Sequence, residues 1–404
     1  MEKIVLDNGL KLIYTNTKTD ITSFTIAIDG GAIKEREDEI GLSHIVEHMV
    51  FKGTKSRSEI DINKECDKIF GFHNAMTNYP YVVYYGTSLS EDFERGLELY
   101  SDIILNPTFE EKYFKEEISV ICEELKEWSD DVSQHCEDKV LYNGFSKRRI
   151  KDLIIGNESL IKKYTIEDVK KYYNKYYHIN NMVISVVSSI SFEEVIKIVK
   201  NYFKNGYIKE KEKESIIYEK NINNIFYEYK EGINSSKIQY IFSIDELSDR
   251  EITILRIFNS YFGEGTSSVL YDEIRTKRGL VYDIKGFLKN ESGIKLYSIS
   301  LGTSKENIEL AMKLIDDNIK KTVNLKNIFT EEKIQSILKN CKLKRMLGLE
   351  KSITLSFNTA IYELMYGDCN LLFDEFEIEN ITENEILEVI NKVLKNPTIQ
   401  VITG

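Results

Sequence analysis

The sequence predicts an α+β protein of two homologous domains, each a mostly antiparallel sheet with helices packed on one face. Three observations carry this. The chain of 404 residues is too long for one ordinary core. Its middle and its end repeat one another. Strand and helix patterns are mixed along it rather than strictly alternating, which disfavours a parallel βαβ sheet.

The repeat is read at an offset of 217 residues (382 − 165). Residues 165–188, TIEDVKKYYNKYYHINNMVISVVS, and 382–404, TENEILEVINKVLKNPTIQVITG, each open on a Thr-x-acidic helix start. Each continues as an amphipathic helix, with Val169, Tyr172, Tyr173 and Tyr176 matched by Ile386, Val389, Ile390 and Val393. A short turn and a β-branched strand follow in both. Nearer the start of each half lie two alternating strands, ITSFTIAI from Ile21 and KIQYIFS from Lys237, each followed by a helical segment. Two matches in the same order favour duplication of one unit. The charged stretch within 205–222 is the natural connection, giving domains 1–212 and 213–404. With only three prolines and no Gly/Ser-rich linker, the domains should be packed together. At the N-terminus, MEKIVLDNGLKLIYTN reads as a hairpin around Asp7-Asn8-Gly9.

Hydrophobic residues at 42% and charged residues at 30% are those of a globular protein in water. A formal charge of −12 argues against a nucleic-acid partner, which would want a basic face. No apolar run fits a signal peptide or a bilayer span, so the expectation is no membrane partner and a cytoplasmic location. Five scattered cysteines without a C-x-x-C pair suggest neither a disulfide framework nor a thiolate metal site.

The main chemical signal is Gly41-Leu42-Ser43-His44-Ile45-Val46-Glu47-His48-Met49. The chain has only five histidines, and two stand four apart. On a helix, positions i and i+4 share a face, so both imidazoles can reach one ion. Zinc in such a site takes a third protein ligand and leaves a position open to water, whose pKa falls to about 7. Glu47 is placed to take that water's proton, and H-x-x-E-H is the inverzincin pattern.

A third ligand can be sought on 110–128, EEKYFKEEISVICEELKEW, an acidic amphipathic helix. Phe114, Ile118, Ile121, Leu125 and Trp128 step by 4, 3, 4 and 3 and define its buried stripe. Glu116, Glu123 and Glu127 project away from it. Glu117 and Glu124 lie side by side at its edge, where a carboxylate wants a partner. An acidic helix face would explain this row without a metal. Beside the histidines, Glu124 is the best ligand candidate and Glu117 a supporting one.

Together these residues resemble the pitrilysin-type (insulinase-like) zinc peptidases, and among them the half-length members of the processing-peptidase type. Members carry the liganding Glu some 76 residues after the motif, and 48 + 76 is Glu124, within VICEEL. Glu117, seven residues earlier, matches the family's supporting acid. Asn74-Ala75-Met76-Thr77 resembles an N-A-x-T strand that in the family lies along the bound peptide. FGEGTSS from Phe262, followed by Arg275 and by Gly279-Leu280-Val281-Tyr282, resembles the second-domain pattern that supplies an Arg and a Tyr. A guanidinium and a phenol can hold a peptide backbone and stabilise a developing oxyanion. The resemblance spans essentially the whole chain. Departures at Val269, at Phe72-His73 and in 145–156 bear on substrate preference more than on chemistry.

The resemblance implies a zinc-dependent endopeptidase acting on short or unfolded peptides, leader or presequence segments among them. One Zn²⁺ per chain would sit on His44, His48 and Glu124. Glu47 would be the general base, with Glu117, Arg275 and Tyr282 in the catalytic machinery. Asn74 and Ala75 would bind the peptide, and residues 213–404 would supply Arg275 and Tyr282. It also implies a homodimer, with a heterodimer with a related subunit as the other arrangement. The alternative function is a substrate-gripping subunit of a heterodimeric processing peptidase. Such a subunit would usually lose His44, Glu47 or His48, and this chain keeps all three.

Overall fold

Asp7-Asn8-Gly9 closes the first hairpin, between β1 (Glu2–Val5) and β2 (Lys11–Asn16). Gly9 takes φ +83°, a conformation that glycine adopts without a Cβ penalty, and Asn8 Oδ1 accepts the Leu10 amide. The computed structural model describes residues 1–204, 208–209, 216–324, 327–374 and 379–404. The expected boundary at 212/213 lies outside the described residues.

The remaining strands are β3 (Ile21–Ile28), β4 (Phe70–Thr77), β5 (Val82–Leu89), β6 (Met182–Ser188), β7 (Asn224–Tyr229) and β8 (Ser236–Ser243), then β9 (Val281–Glu291), β10 (Ile294–Thr303) and β11 (Thr398–Thr403). Helices α1 (Leu42–Val50), α2 (Glu59–Ile69), α3 (Phe93–Leu105), α4 (Glu111–Asp130) and α5 (Val132–Gly144) come first. They are followed by α6 (Glu158–Ile161), α7 (Ile166–Tyr176), α8 (Phe192–Phe203) and α9 (Asp249–Phe262). The last five are α10 (Ile308–Asn324), α11 (Glu331–Gly348), α12 (Ser352–Tyr366), α13 (Leu371–Asp374) and α14 (Glu383–Val393).

Two compact units result. One comprises Met1–Leu125, Leu153–Ile216 and Leu347–Phe373; the other comprises Lys126–Asp152, Ile217–Met346 and Asp374–Gly404. The first holds a sheet in the order β1-β2-β6-β3-β5-β4, the second one in the order β7-β11-β8-β10-β9. Without the β1 hairpin arm the orders are the same. In both, the first strand of the unit pairs in parallel with its last, and every other pairing is antiparallel. The repeated helices match in detail as well. Thr165 and Thr382 each cap a helix in a reciprocal box, with Asp168 and Glu385 as partners, and β6 and β11 follow.

In the first unit, alternate residues of the sheet, such as Phe24, Ile26, Tyr84 and Ile184, enter the main core with α1, α3, α7 and α8. The opposite face, with Ile13, Ala27, Val83 and Val183, carries a smaller core under α12, through Ala360 and Ile361. α12 also lays a row of hydroxyls on β3 and β6. Ser356 Oγ donates to Thr25 Oγ1 at 2.9 Å, and Thr359 and Ser185 are joined at 2.8 Å. Glu363, fully buried, takes the ammonium groups of Lys3 and Lys11 at 2.6 and 2.7 Å. In the second unit α5 packs on β8 and β11, the counterparts of β3 and β6. The exchange is symmetrical: a segment from the first half completes the second unit, and one from the second half completes the first.

Candidate metal centre

Helix α1 begins at a glycine, so its first amides have no side chain of their own to cap them. Gly41 takes φ +98°, and a Cβ there would lie 2.8 Å from the Ile155 carbonyl oxygen. Only glycine fits. The cap comes instead from Glu35, a buried carboxylate that accepts the Gly41 amide at 3.0 Å and the Ser43 amide at 2.8 Å. A negative charge at that end also interacts favourably with the positive end of the helix dipole. Leu42, Ile45, Val46 and Met49 enter the core, which fixes the rotation of α1 and aims His44, Glu47 and His48 outward.

His44 and His48 stand one turn apart with ring centroids 4.4 Å from each other. Glu124, from α4, faces both: its two oxygens lie 3.8 Å from His44 Nε2 and 3.5 Å from His48 Nε2. One donor atom from each of the three residues falls within 4.8 Å of the others. Tetrahedral zinc with bonds of about 2.0–2.1 Å would hold its ligands roughly 3.3 Å apart, so the donor set fits with little movement.

Glu117 lies one α4 face-step before Glu124. His48 Nδ1 donates to its Oε1 at 2.7 Å, which in the neutral ring leaves Nε2 as the lone-pair nitrogen. Its Oε2 takes the Lys52 ammonium at 2.6 Å, and Lys52 also reaches Glu59 at 2.8 Å. Expected at the edge of the buried stripe, Glu117 is only 4% exposed. Phe114 and Ile121 are buried as expected, whereas Ile118, Leu125 and Trp128 are half-buried. Glu116, Glu123 and Glu127 are exposed.

The local charges shift one another. Burial, with the neighbouring His48 adding to it, brings the His44 imidazole down to about 3. His44 is thus a neutral, ligand-ready base. Burial would lower His48 too, but the bond to Glu117 and the charges of Glu47, Glu117 and Glu124 outweigh it and raise the ring. Burial would raise Glu117, yet His48 and Lys52 hold it below the usual carboxyl range. Glu47 is pushed above that range by burial, with the Thr77 hydroxyl donating to its Oε2 at 2.8 Å.

Asn74 and Ala75 lie on β4, which among the described residues pairs with β5 alone and so is the edge strand of its sheet. Arg275 and Tyr282 belong to the second unit. Arg275 is the penultimate residue of a π-helical turn, Tyr271–Thr276, its guanidinium 4.8 Å from the Tyr271 ring centroid. The Gly279 amide donates to the Arg275 carbonyl at 2.8 Å, and this turn leads to Tyr282, exposed near the start of β9. Sequence reasoning missed Glu35 and the Lys52 and Thr77 contacts. Only an acid ahead of an uncapped Gly-Leu-Ser helix start could have hinted at Glu35.

Two family models match the chain: Insulinase (Peptidase family M16) over residues 11–158, and Peptidase M16 inactive domain over residues 163–341. The chain belongs to the M16 peptidase family. All the candidate metal-site residues fall within the first match. A zinc protease of Rickettsia felis is 25% identical over 401 residues, covering 99% of this chain and 96% of that protein. The mitochondrial-processing peptidase β subunit of Rattus norvegicus is 29% identical over 198 residues, 49% of this chain and 40% of the subunit. Among solved structures, a protease from Helicobacter pylori superposes with a TM-score of 0.89 at 21% identity, covering 100% of this chain and 99% of that one. The periplasmic protease PqqL from Escherichia coli matches with a TM-score of 0.78 at 18% identity, with 47% of its chain covered. The M16 fold of the chain is that of a two-domain peptidase. Among the described residues, no helix is long and apolar enough to cross a membrane.

Proposed function

We propose that the protein is a zinc-dependent endopeptidase that cleaves short or unfolded peptides, leader or presequence segments among them. The observation that carries this is the convergence of His44 Nε2, His48 Nε2 and Glu124 beside the Glu47 carboxylate. Zinc-protease relatives along nearly the full chain support the choice of metal. His44, His48 and Glu124 would hold one Zn²⁺ per chain, which when bound supplies Lewis acidity and a water acidified to a pKa near 7.

Glu47 takes a proton from the attacking water and delivers it to the leaving amine. Glu117 keeps His48 oriented by accepting from its Nδ1, so that the neutral ring would offer Nε2 to the metal. The peptide adds as a strand to the edge of β4 along Asn74 and Ala75, a role that a short or unfolded segment can take without first being unfolded. Arg275 and Tyr282 hold the peptide backbone and the oxyanion that develops on it. The substrate-gripping alternative is not favoured, because the motif residues are all present. A homodimer, a heterodimer with a related subunit and a cytoplasmic location belong to the same proposal. Mass measurement of the purified chain and cell fractionation test them.

The deciding experiment incubates the purified chain and Zn²⁺ with a mixed peptide library. Cleavage is expected from the wild type and not from Glu47→Gln. Equal cleavage by both, or none by either, sinks the reading.

A further inference from the structure

The Thr77 hydroxyl donates to Oε2 of Glu47 at 2.8 Å, linking the last residue of β4 to the motif helix α1. Few side chains could make a stiffer anchor. Thr77 is buried, its β-branched side chain is restricted at χ1, and its backbone pairs with Val82 on β5. The chain then turns at once, with the Asn78 amide donating to the Tyr81 carbonyl at 2.8 Å. Strand alternation puts Thr77 and Ala75 on one face, and Ala75 packs against the main core. The Glu47 carboxylate, by contrast, ends a flexible side chain whose last torsion is soft and two-fold. Thr77 holds that carboxylate through its hydroxyl on Oε2, and its backbone amide also donates to it.

We propose that Thr77 is the positioning residue of the general base, a reading that rests on the peptidase function above. Its hydroxyl occupies Oε2 and fixes the plane of the carboxylate, so that Oε1 alone is presented to the reaction. The proton balance follows. The water's O–H bond breaks with its proton going to Oε1 as its oxygen bonds the carbonyl carbon of the peptide, while Thr77 keeps its own proton and its bond to Oε2. Oε1 then gives that proton to the leaving amine nitrogen as the C–N bond breaks, and Glu47 returns to its starting state without rotating. Thr77 itself neither gains nor loses a proton.

A small misplacement of a reacting group can cost about a hundredfold in rate. Thr77→Val keeps the shape and the backbone amide and removes the hydroxyl donor, whereas Thr77→Ser keeps that hydroxyl. Thr77→Val should lower kcat by roughly 10- to 100-fold with KM and zinc content unchanged, and Thr77→Ser should restore kcat to within about threefold of wild type. A crystal structure of Thr77→Val gives a readout that needs no turnover: the Glu47 carboxylate should be rotated or split between two orientations. If the wild type cleaves no peptide, the peptidase reading fails and the crystallographic readout still decides the role of Thr77. A Thr77→Val protein with wild-type kcat, or one whose Glu47 carboxylate stays in place, overturns the proposal. So does a Thr77→Ser protein as impaired as Thr77→Val.

Discussion

Glu117 Oε1 lies 2.7 Å from Nδ1 of His48, while the same carboxylate binds Lys52 through its other oxygen. Glu117 therefore sets which nitrogen the neutral His48 ring turns toward His44 and Glu124. Glu117→Gln should weaken zinc binding by about 10- to 100-fold, measured by competition with a chromophoric chelator. Lys52→Met should move affinity the same way by less, because Lys52 acts only through Glu117. Unchanged affinity in Glu117→Gln would show that His48 is held by packing alone.

Arg275 and Tyr282 are exposed and support no core, Tyr282 being 60% exposed. Arg275→Ala and Tyr282→Phe should each lower kcat/KM by about 10²- to 10³-fold if they stabilise the oxyanion. Zinc content and melting temperature should stay at wild-type values. A loss confined to KM would assign them to peptide binding instead.

Glu35 caps the motif helix from outside it. Glu35→Ala leaves the Gly41 and Ser43 amides without that acceptor and should cost about 0.5–2 kcal/mol. The calorimetric midpoint should fall, and zinc should be released at a lower chelator concentration. Glu35→Gln, which keeps an acceptor oxygen, should recover part of both.

Asp102 gives a pH signature away from the metal. Burial would raise its carboxyl, but bonds from Ser56, Thr54, Arg57 and Asn106 outweigh this and hold it below its ordinary value. The folded state thus binds fewer protons than the unfolded one, whose Asp titrates at about 3.9. The contribution is fully present above that value and is lost as pH falls through the lower folded value. Urea midpoints of wild type and Asp102→Asn should differ by a constant amount above about pH 5 and converge below about pH 4. A gap that ignores pH would assign the effect to shape rather than charge.

Local patterns made much of this legible. Asx-Gly chemistry marked the first hairpin, Thr-x-acidic starts marked α7 and α14, and a 100° projection brought Glu117 and Glu124 to one side of α4. What stayed hidden depends on distant chain segments. Glu35 resembles any surface acid until its loop folds over α1. The burial of α12 was hard to read because its contact face mixes Ala360 and Ile361 with Ser352, Ser356 and Thr359, hydroxyls that satisfy Ser23, Thr25 and Ser185 and interrupt the apolar stripe. Substrate preference is hidden for another reason: nothing in a strand edge such as β4 reads out which side chains a guest peptide must carry.

The crossed placement of α5 and α12 also bears on how the protein is born. Strand β6 completes the first sheet at Ser188, but α12 begins only at Ser352, 164 residues later (352 − 188). At ribosomal speeds of about 5–20 residues per second, the face of Ile13, Ala27, Val83 and Val183 waits on the order of ten to thirty seconds for its lid. During that interval a nascent chain carries a bare apolar sheet, the kind of surface that holdase chaperones bind. Cutting the gene at the repeat would make that interval permanent, so the ancestral duplication can no longer be undone by simple scission.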